Sequence, residues 1–275
     1  AGGERVDKVV RVGTGLGAGL MGGLLGIGGS VVMIPIIVHV VGRDQHFAQG
    51  AAMLVNVFVA IPAALRHHKG GRVRKELVQW FAPTTVLFIL FGVWLSNQFE
   101  DPKQLGLVFG VFMLAEVVNT LVKVIRPPDD QSSGQETTDQ VRFPAVATVG
   151  ALTGVAAGLL GIGGGVVSVP LMTTFAKVPL RLAIATSSAA MILSAPLGAY
   201  RKVWTLPEMS DVEGPITAAI TTAAYMAVGA VAGARTGAGL TGKVPIRWIR
   251  AVFAALLAWV SWRFLRSEER RVGKE

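Results

Sequence analysis

The heptapeptide GLLGIGG is written twice, at Gly23–Gly29 and at Gly158–Gly164, and each copy is followed six residues later by a proline, Pro35 and Pro170. Glycine costs about 1 kcal/mol relative to alanine inside a helix, so four glycines in seven positions mark a helix break. Aligning Gly23 with Gly158 also pairs Gly19 with Gly154, Val31-Val32 with Val166-Val167, and Ala48 with Ala183. A one-residue shift then pairs Pro62 with Pro196. The match covers about 45 residues on each side and reads as an internal duplication, a common construction plan of secondary transporters.

The composition around these breaks is that of a membrane protein. Of 275 residues, 52% are apolar and 16% charged, with a mean hydropathy of +0.55, whereas soluble domains carry about 25% charged residues. No Asp, Glu, Lys or Arg falls between Arg11 and Arg43, Asp44 and Arg66, or Glu76 and Glu100. The same holds between Arg142 and Lys177, Arg181 and Arg201, and Glu213 and Arg235. Windows of this length suffice for helices that cross a bilayer, which need roughly 20 apolar residues. The net charge of +9 sits at the ends of apolar windows, where it anchors and orients spans. No basic face of the kind that binds nucleic acid is expected. Without cysteine the chain has no disulfide, thiolate metal site or thiol nucleophile.

The polar stretch 127–141, opening Pro-Pro-Asp-Asp, is a linker by turn chemistry. It divides the chain into repeats 1–126 and 142–275. Each repeat begins with an apolar helix (Val9–Leu25; Phe143–Leu160) that runs into the glycine break. A piece of about a dozen residues follows (Ser30–Val41; Gly165–Ala176), too short to span alone at 1.5 Å per residue. Three longer helices come next: Gln45–Leu65, Leu77–Ser96 and Gln104–Val124, then Leu182–Tyr200, Pro215–Leu240 and Ile246–Arg266. The expected fold is an all-α membrane protein of two homologous halves with about eight spans. Either the broken helices cross the membrane, making the repeats parallel, or they fold back as hairpins, making them inverted. Crossing helices would place most of the 26 Lys and Arg on one side, so the positive-inside bias favours the crossing model.

A helix that restarts after a glycine break has free N–H groups and the positive end of its dipole. At Gly28, Gly29 and Ser30, and at Gly163, Gly164 and Gly165, little side chain stands in front of them. An anion can approach such a backbone closely, and two copies could converge on one site. The competing reading is tight helix packing, which small residues at four-residue spacing support at Gly13/Gly17 and Gly229/Gly233/Gly237. Gly17-Ala-Gly-Leu-Met-Gly22 also fits G-x-G-x-x-G, but a dinucleotide fold needs a βαβ unit that is absent here.

The duplicated G-x-G-G signature with its proline, the run Ala183–Ser188, the turn Pro62–His68 and Gly233-Ala-Arg235 resemble the TauE/SafE sulfite exporter family of integral membrane proteins. The resemblance covers nearly the whole chain. It implies transport of sulfur-containing anions such as sulfite and organosulfonates, and in some members of other small organic acids. The family often has Gly-Thr-Ser where the first half reads Gly50-Ala51-Ala52, so the hydroxyls stand only at Thr186, Ser187 and Ser188. Those hydroxyls either donate to a ligand or bond back to their own helix. Asn56 and Asn119 are intramembrane amides, interhelical glue or ligand contacts. Glu116 is the one acid in the middle of a span, either a proton-coupling group or a neutral packing residue. Arg235, late in its span, either attracts anions or is a snorkelling anchor; His67-His68 reads as a cytoplasmic loop end, and His39 as interfacial.

The predicted function is therefore a multi-pass cell (inner) membrane carrier, an exporter of small sulfur-containing anions. An anion channel and a carrier of other organic acids are the alternatives. No nucleotide motif, cofactor or metal site is expected, and no acid–base cluster of an enzyme. The expected partners are a small anion and the lipid bilayer; the sequence allows a homo-oligomer without specifying one.

Overall fold

A computed structural model describes residues 2–25, 28–125 and 141–240, with isolated positions beyond. The predicted linker, save residue 141, and nearly all of the last predicted span, Ile246–Arg266, lie outside the described residues, as does the side chain of Asn119. The described chain is helical: α1 (Gly2–Leu25), α2 (Ser30–His39), α3 (Gln45–Lys69), α4 (Lys75–Ser96), α5 (Pro102–Ile125), α6 (Phe143–Leu160), α7 (Gly165–Thr174), α8 (Leu180–Trp204), the single turn α9 (Leu206–Met209) and α10 (Pro215–Leu240). Of these, α3, α4, α6, α8 and α10 are long and apolar enough to cross a membrane.

The most buried pair, α3 and α8, forms the centre. Their alanines explain the close approach: Ala48, Ala51, Ala52, Ala183 and Ala185 have no exposed surface, and small side chains bring backbones together where lipid offers no hydrophobic drive. Asp44 caps α3, its Oδ1 accepting from the Phe47 N–H at 2.8 Å. Around the centre, α1 packs on α10 and α6 packs on α4.

Glycines set both outer contacts. A Cβ on Gly15, Gly19 or Gly23 would lie 1.9–2.2 Å from the carbonyl oxygens of Met226, Ala230 and Ala234. In return, one on Gly229, Gly233 or Gly237 would lie 2.1–2.2 Å from those of Val12, Leu16 and Leu20. Gly154 and Gly158 meet the Thr85 and Ile89 carbonyls in the same way. The packing role expected of Gly229/Gly233/Gly237 is present. That expected of Gly13 and Gly17 is not, because nothing lies within 4 Å of a Cβ at either. The packing stripe of α1 is the other one, Gly15/Gly19/Gly23.

The breaks are hairpins, and the crossing model is overturned. The Arg142 N–H, at the start of α6, donates to the Ala176 carbonyl just after α7 at 3.2 Å, so α7 returns to the face where α6 began. The chain also reverses after α1: a Cβ on Gly29 would lie 3.2 Å from Ala18 Cβ, two turns back along α1. The end of α2 then leads directly to Asp44, whose Oδ2 accepts from the Ser210 hydroxyl ahead of α10. Arg11, in the first half of α1, bonds Thr222, in the first half of α10, at 3.0 Å. The ends of α4 and α8 share this Asp44 face, through Asn97 Nδ2 to Thr205 Oγ1 at 3.0 Å. The opposite face carries Lys69 at the end of α3 and the starts of α4 and α6, whose Trp80 and Phe143 rings lie 6.4 Å apart. One hairpin thus enters from each face, and each ten-residue α2 and α7 reaches only part of the way through.

Candidate functional site

The two hairpin tips meet on one side chain. Gly28 has φ +74° and Gly163 φ +71°, a left-handed backbone that costs other L-residues about 1–2 kcal/mol. Their positions differ by the same 135 residues as the two heptapeptides. A Cβ on Gly28 would lie 2.9 Å from Met191 Cε and 3.0 Å from Asn56 Oδ1. One on Gly163 would lie 2.4 Å from Asn56 Nδ2 and 3.1 Å from Met191 Cε. Only glycine therefore fits at either tip. Asn56, in the middle of α3, is fully buried between them. Its Oδ1 accepts from the Gly29 N–H at 3.1 Å, and its Nδ2 donates to Ser30 Oγ. Both parts of the amide face the first hairpin, and Nδ2 also faces the second.

The hydroxyls stand beside the second tip. Ser168 Oγ of α7 lies 2.8 Å from Ser187 Oγ of α8 and 3.3 Å from the Gly165 carbonyl oxygen. Thr186 and Ser188 are buried next to Ser187 on α8, and the Thr186 hydroxyl has no hydrogen-bond partner among the described residues. Thr153 of α6 backs onto Gly164, whose Cβ would lie 2.8 Å from its methyl, and its hydroxyl is likewise buried and unbonded. Buried hydroxyls without partners are uncommon, and Thr153 stands directly against the start of α7. Of the predicted residues, the structure joins Gly28, Gly29, Ser30, Asn56 and Gly163 at one point. It sets Gly164, Gly165 and Ser187 beside it along α7. Glu116 stands apart, half-buried on the peripheral α5. Arg235 is exposed on α10, as an anchor would be. His67 differs from expectation: it is fully buried in the last turn of α3.

A second polar cluster has no counterpart in the sequence reading. At the Asp44 face, Lys202 of α8 has no exposed surface. Its Nζ lies 2.8 Å from His46 Nδ1, 2.8 Å from Ser96 Oγ and 3.0 Å from Asn97 Oδ1. Next to Arg201, Lys202 looks in sequence like half of an interfacial pair; it is enclosed by α3 and α4, which lie more than 100 residues away. Among the described residues no three His, Cys, Asp or Glu side chains gather as a metal site would require.

Comparison with known proteins finds relatives named as membrane transporters. The chain is 25% identical to the probable membrane transporter protein MamO of Paramagnetospirillum magneticum, over 95% of this chain and 45% of that one. It therefore spans about half the length of that relative. It is also 25% identical to a probable membrane transporter protein of Methanocaldococcus jannaschii, covering 87% of this chain and 88% of that one. A probable membrane transporter protein of Haemophilus influenzae is 26% identical, over 89% and 92%. No solved structure matches. The model of the sulfite exporter TauE/SafE family matches residues 12–264, nearly the whole chain, and this multi-pass membrane protein belongs to that family.

Proposed function

We propose that the chain is a secondary carrier that exports small sulfur-containing anions, such as sulfite or organosulfonates, and holds them where the two hairpin tips meet. One observation carries this reading: Gly28 and Gly163, from hairpins entering by opposite faces, both come to rest on Asn56. The amide oxygen of Asn56 accepts from the Gly29 N–H; an anionic oxygen can take over that role with a stronger, charge-assisted bond and accept from Asn56 Nδ2 as well. The N-termini of α2 and α7 add the positive ends of two helix dipoles. Ser30, Thr186, Ser187 and Ser188 offer hydroxyl donors, and Gly164 and Gly165 keep the approach to α7 open. The sulfur-anion class rests on the family.

The halves 1–126 and 142–275 are, in this reading, an inverted duplication. Gly15, Gly19 and Gly23 hold α1 on α10, while Gly150, Gly154 and Gly158, each 135 residues later, hold α6 on α4. Inverted repeats with binding at the midplane suit alternating access. The loop bearing Arg66, Lys69, Arg72, Arg74 and Lys75 makes the Lys69 face cytoplasmic by the positive-inside rule. Both tips rest on the same side chain, an arrangement that favours a carrier over an anion channel.

Flux in proteoliposomes tests the reading, with radiolabelled sulfite, sulfoacetate, taurine, thiosulfate and acetate offered in turn. Saturable flux with counterflow for a sulfur-containing anion, reduced roughly tenfold or more in Asn56→Ala by loss of a charge-assisted bond, is the expected result. Non-saturating flux would indicate a channel, a preference for acetate would indicate an organic-acid carrier, and full flux in Asn56→Ala would remove the tips from the path.

A further inference from the structure

Lys202 is a buried amine whose hydrogen bonds are satisfied and whose charge, when protonated, is not. The Phe99 carbonyl, 3.0 Å from His46 Nε2, can only accept, so Nε2 carries the imidazole proton and Nδ1 accepts from the lysine. All three contacts of Nζ are therefore neutral acceptors. The Asp44 carboxylate bonds the Phe47 N–H and the Ser210 hydroxyl. Among the described residues no carboxylate bonds the ammonium. An enclosed charge among spanning helices is expensive, and its usual justification is a role on a substrate or ion path.

The cluster also connects to the second hairpin. Ser96 Oγ, which accepts from Lys202, donates to Gln49 Oε1 at 3.1 Å. Gln49 Nε2 in turn donates to the Leu159 carbonyl at 3.1 Å, in the last turn before the break. The stem of Gln49 lies where a Cβ on Gly161 would come within 2.8 Å. On its other flank Asn97 is half-buried at the end of α4. A continuous line of polar groups thus runs from the second hairpin, past the Lys202 amine, to the Asp44 face.

We propose that Lys202 is a second anion station, the counter-charge with which a small oxyanion pairs as it passes between the hairpin tips and the Asp44 face. The oxyanion's oxygens would replace Ser96 Oγ and Asn97 Oδ1 around Nζ. This rests on the carrier reading above and adds a binding residue outside the glycine tips. A lysine that only ties α3, α4 and α8 together would affect stability without affecting anions.

The test compares wild type, Lys202→Gln and Lys202→Arg in sulfite-loaded proteoliposomes, and adds a single cysteine, Asn97→Cys, to a chain that has none. In monodisperse Lys202→Gln, sulfite flux is expected to fall roughly tenfold or more, and Lys202→Arg to recover most of it, since arginine keeps the charge. At Asn97→Cys, an anionic sulfonate-bearing thiol reagent is expected to react faster than a cationic one of the same size, and Lys202→Gln to abolish that preference. Sulfite flux in folded Lys202→Gln within about twofold of wild type would overturn the station, because a bound counter-charge is worth far more. So would an Asn97→Cys protein without anion preference, a measurement that stands even if Lys202→Gln does not fold. If wild type moves no anion while the thiol preference holds, the carrier reading fails and the charged station stands.

Discussion

Replacing Gly163 with alanine probes the tip contact most directly. The added Cβ would sit 2.4 Å from Asn56 Nδ2, well inside van der Waals contact, at a φ of +71°. The left-handed conformation costs alanine about 1–2 kcal/mol. Asn56 must then move and give up its bonds to the Gly29 N–H and Ser30, at about 1 kcal/mol each. A total of about 3–4 kcal/mol corresponds to a fall in melting temperature on the order of 10 °C for a chain of this size. Because the same amide is assigned to the anion, affinity for sulfite should fall roughly tenfold, the equivalent of one lost hydrogen bond. Two variants on α1 give the contrast. Gly19→Ala would press a Cβ to within 2.2 Å of the Ala230 carbonyl and separate α1 from α10, so it should lower the melting temperature and leave affinity unchanged. Gly17→Ala meets nothing within 4 Å and should be neutral or stabilising by up to about 1 kcal/mol. The assays are thermal unfolding and sulfite titration of purified protein. Wild-type melting and affinity in Gly163→Ala would refute the tip assignment, and equal damage from Gly17→Ala and Gly19→Ala would refute the packing register.

Two further predictions address topology and coupling. With no native cysteine, Arg142→Cys and Lys177→Cys, which flank the α6–α7 hairpin, should be labelled from the same side of the membrane by an impermeant reagent. Asp44→Cys should be labelled from the other side, and labelling of 142 and 177 from opposite sides would restore a crossing helix. Glu116→Gln should abolish accumulation driven by a pH gradient and keep exchange of labelled sulfite, if Glu116 couples protons; unchanged pH-driven uptake in the folded variant removes it from the mechanism.

Much of the site was legible because glycine leaves a strong mark in an apolar chain. The breaks at Gly28 and Gly163 follow from composition alone; the left-handed backbone that both share is seen only in the structure. Asn56 was visible as an intramembrane amide, but nothing local distinguishes glue from ligand contact. It is both glue and the meeting point of the tips. The packing register of α1 was not legible, since the stretch GTGLGAGLMGG fits two four-residue stripes equally well. Only the partner helix selects Gly15/Gly19/Gly23. Lys202 and His46 were hidden for the same reason, each lying at a helix end where charge is ordinary until a distant helix encloses it.

The direction of the hairpins was misread through an assumption about charge. A ten-residue helix such as α2 or α7 has the same sequence whether it continues forward or turns back, so the decision fell to the distribution of Lys and Arg. That rule is strongest for short loops next to full spans. A helix that reverses changes the side of everything after it without adding a charge of its own. What decides the matter is a single backbone bond, Arg142 N–H to the Ala176 carbonyl, between residues that no periodicity pairs. The reversal also matters for function. Two helices crossing in parallel would bring their dipoles to the midplane from the same face. Opposed hairpins bring two N-termini to Asn56 from opposite faces, so under the proposed carrier reading each face would have its own arm on the anion. Releasing one arm while the other holds is the elementary step that alternating access requires. Lys202 lies on the Asp44 side of that point, where an outward-moving anion would next need a positive charge.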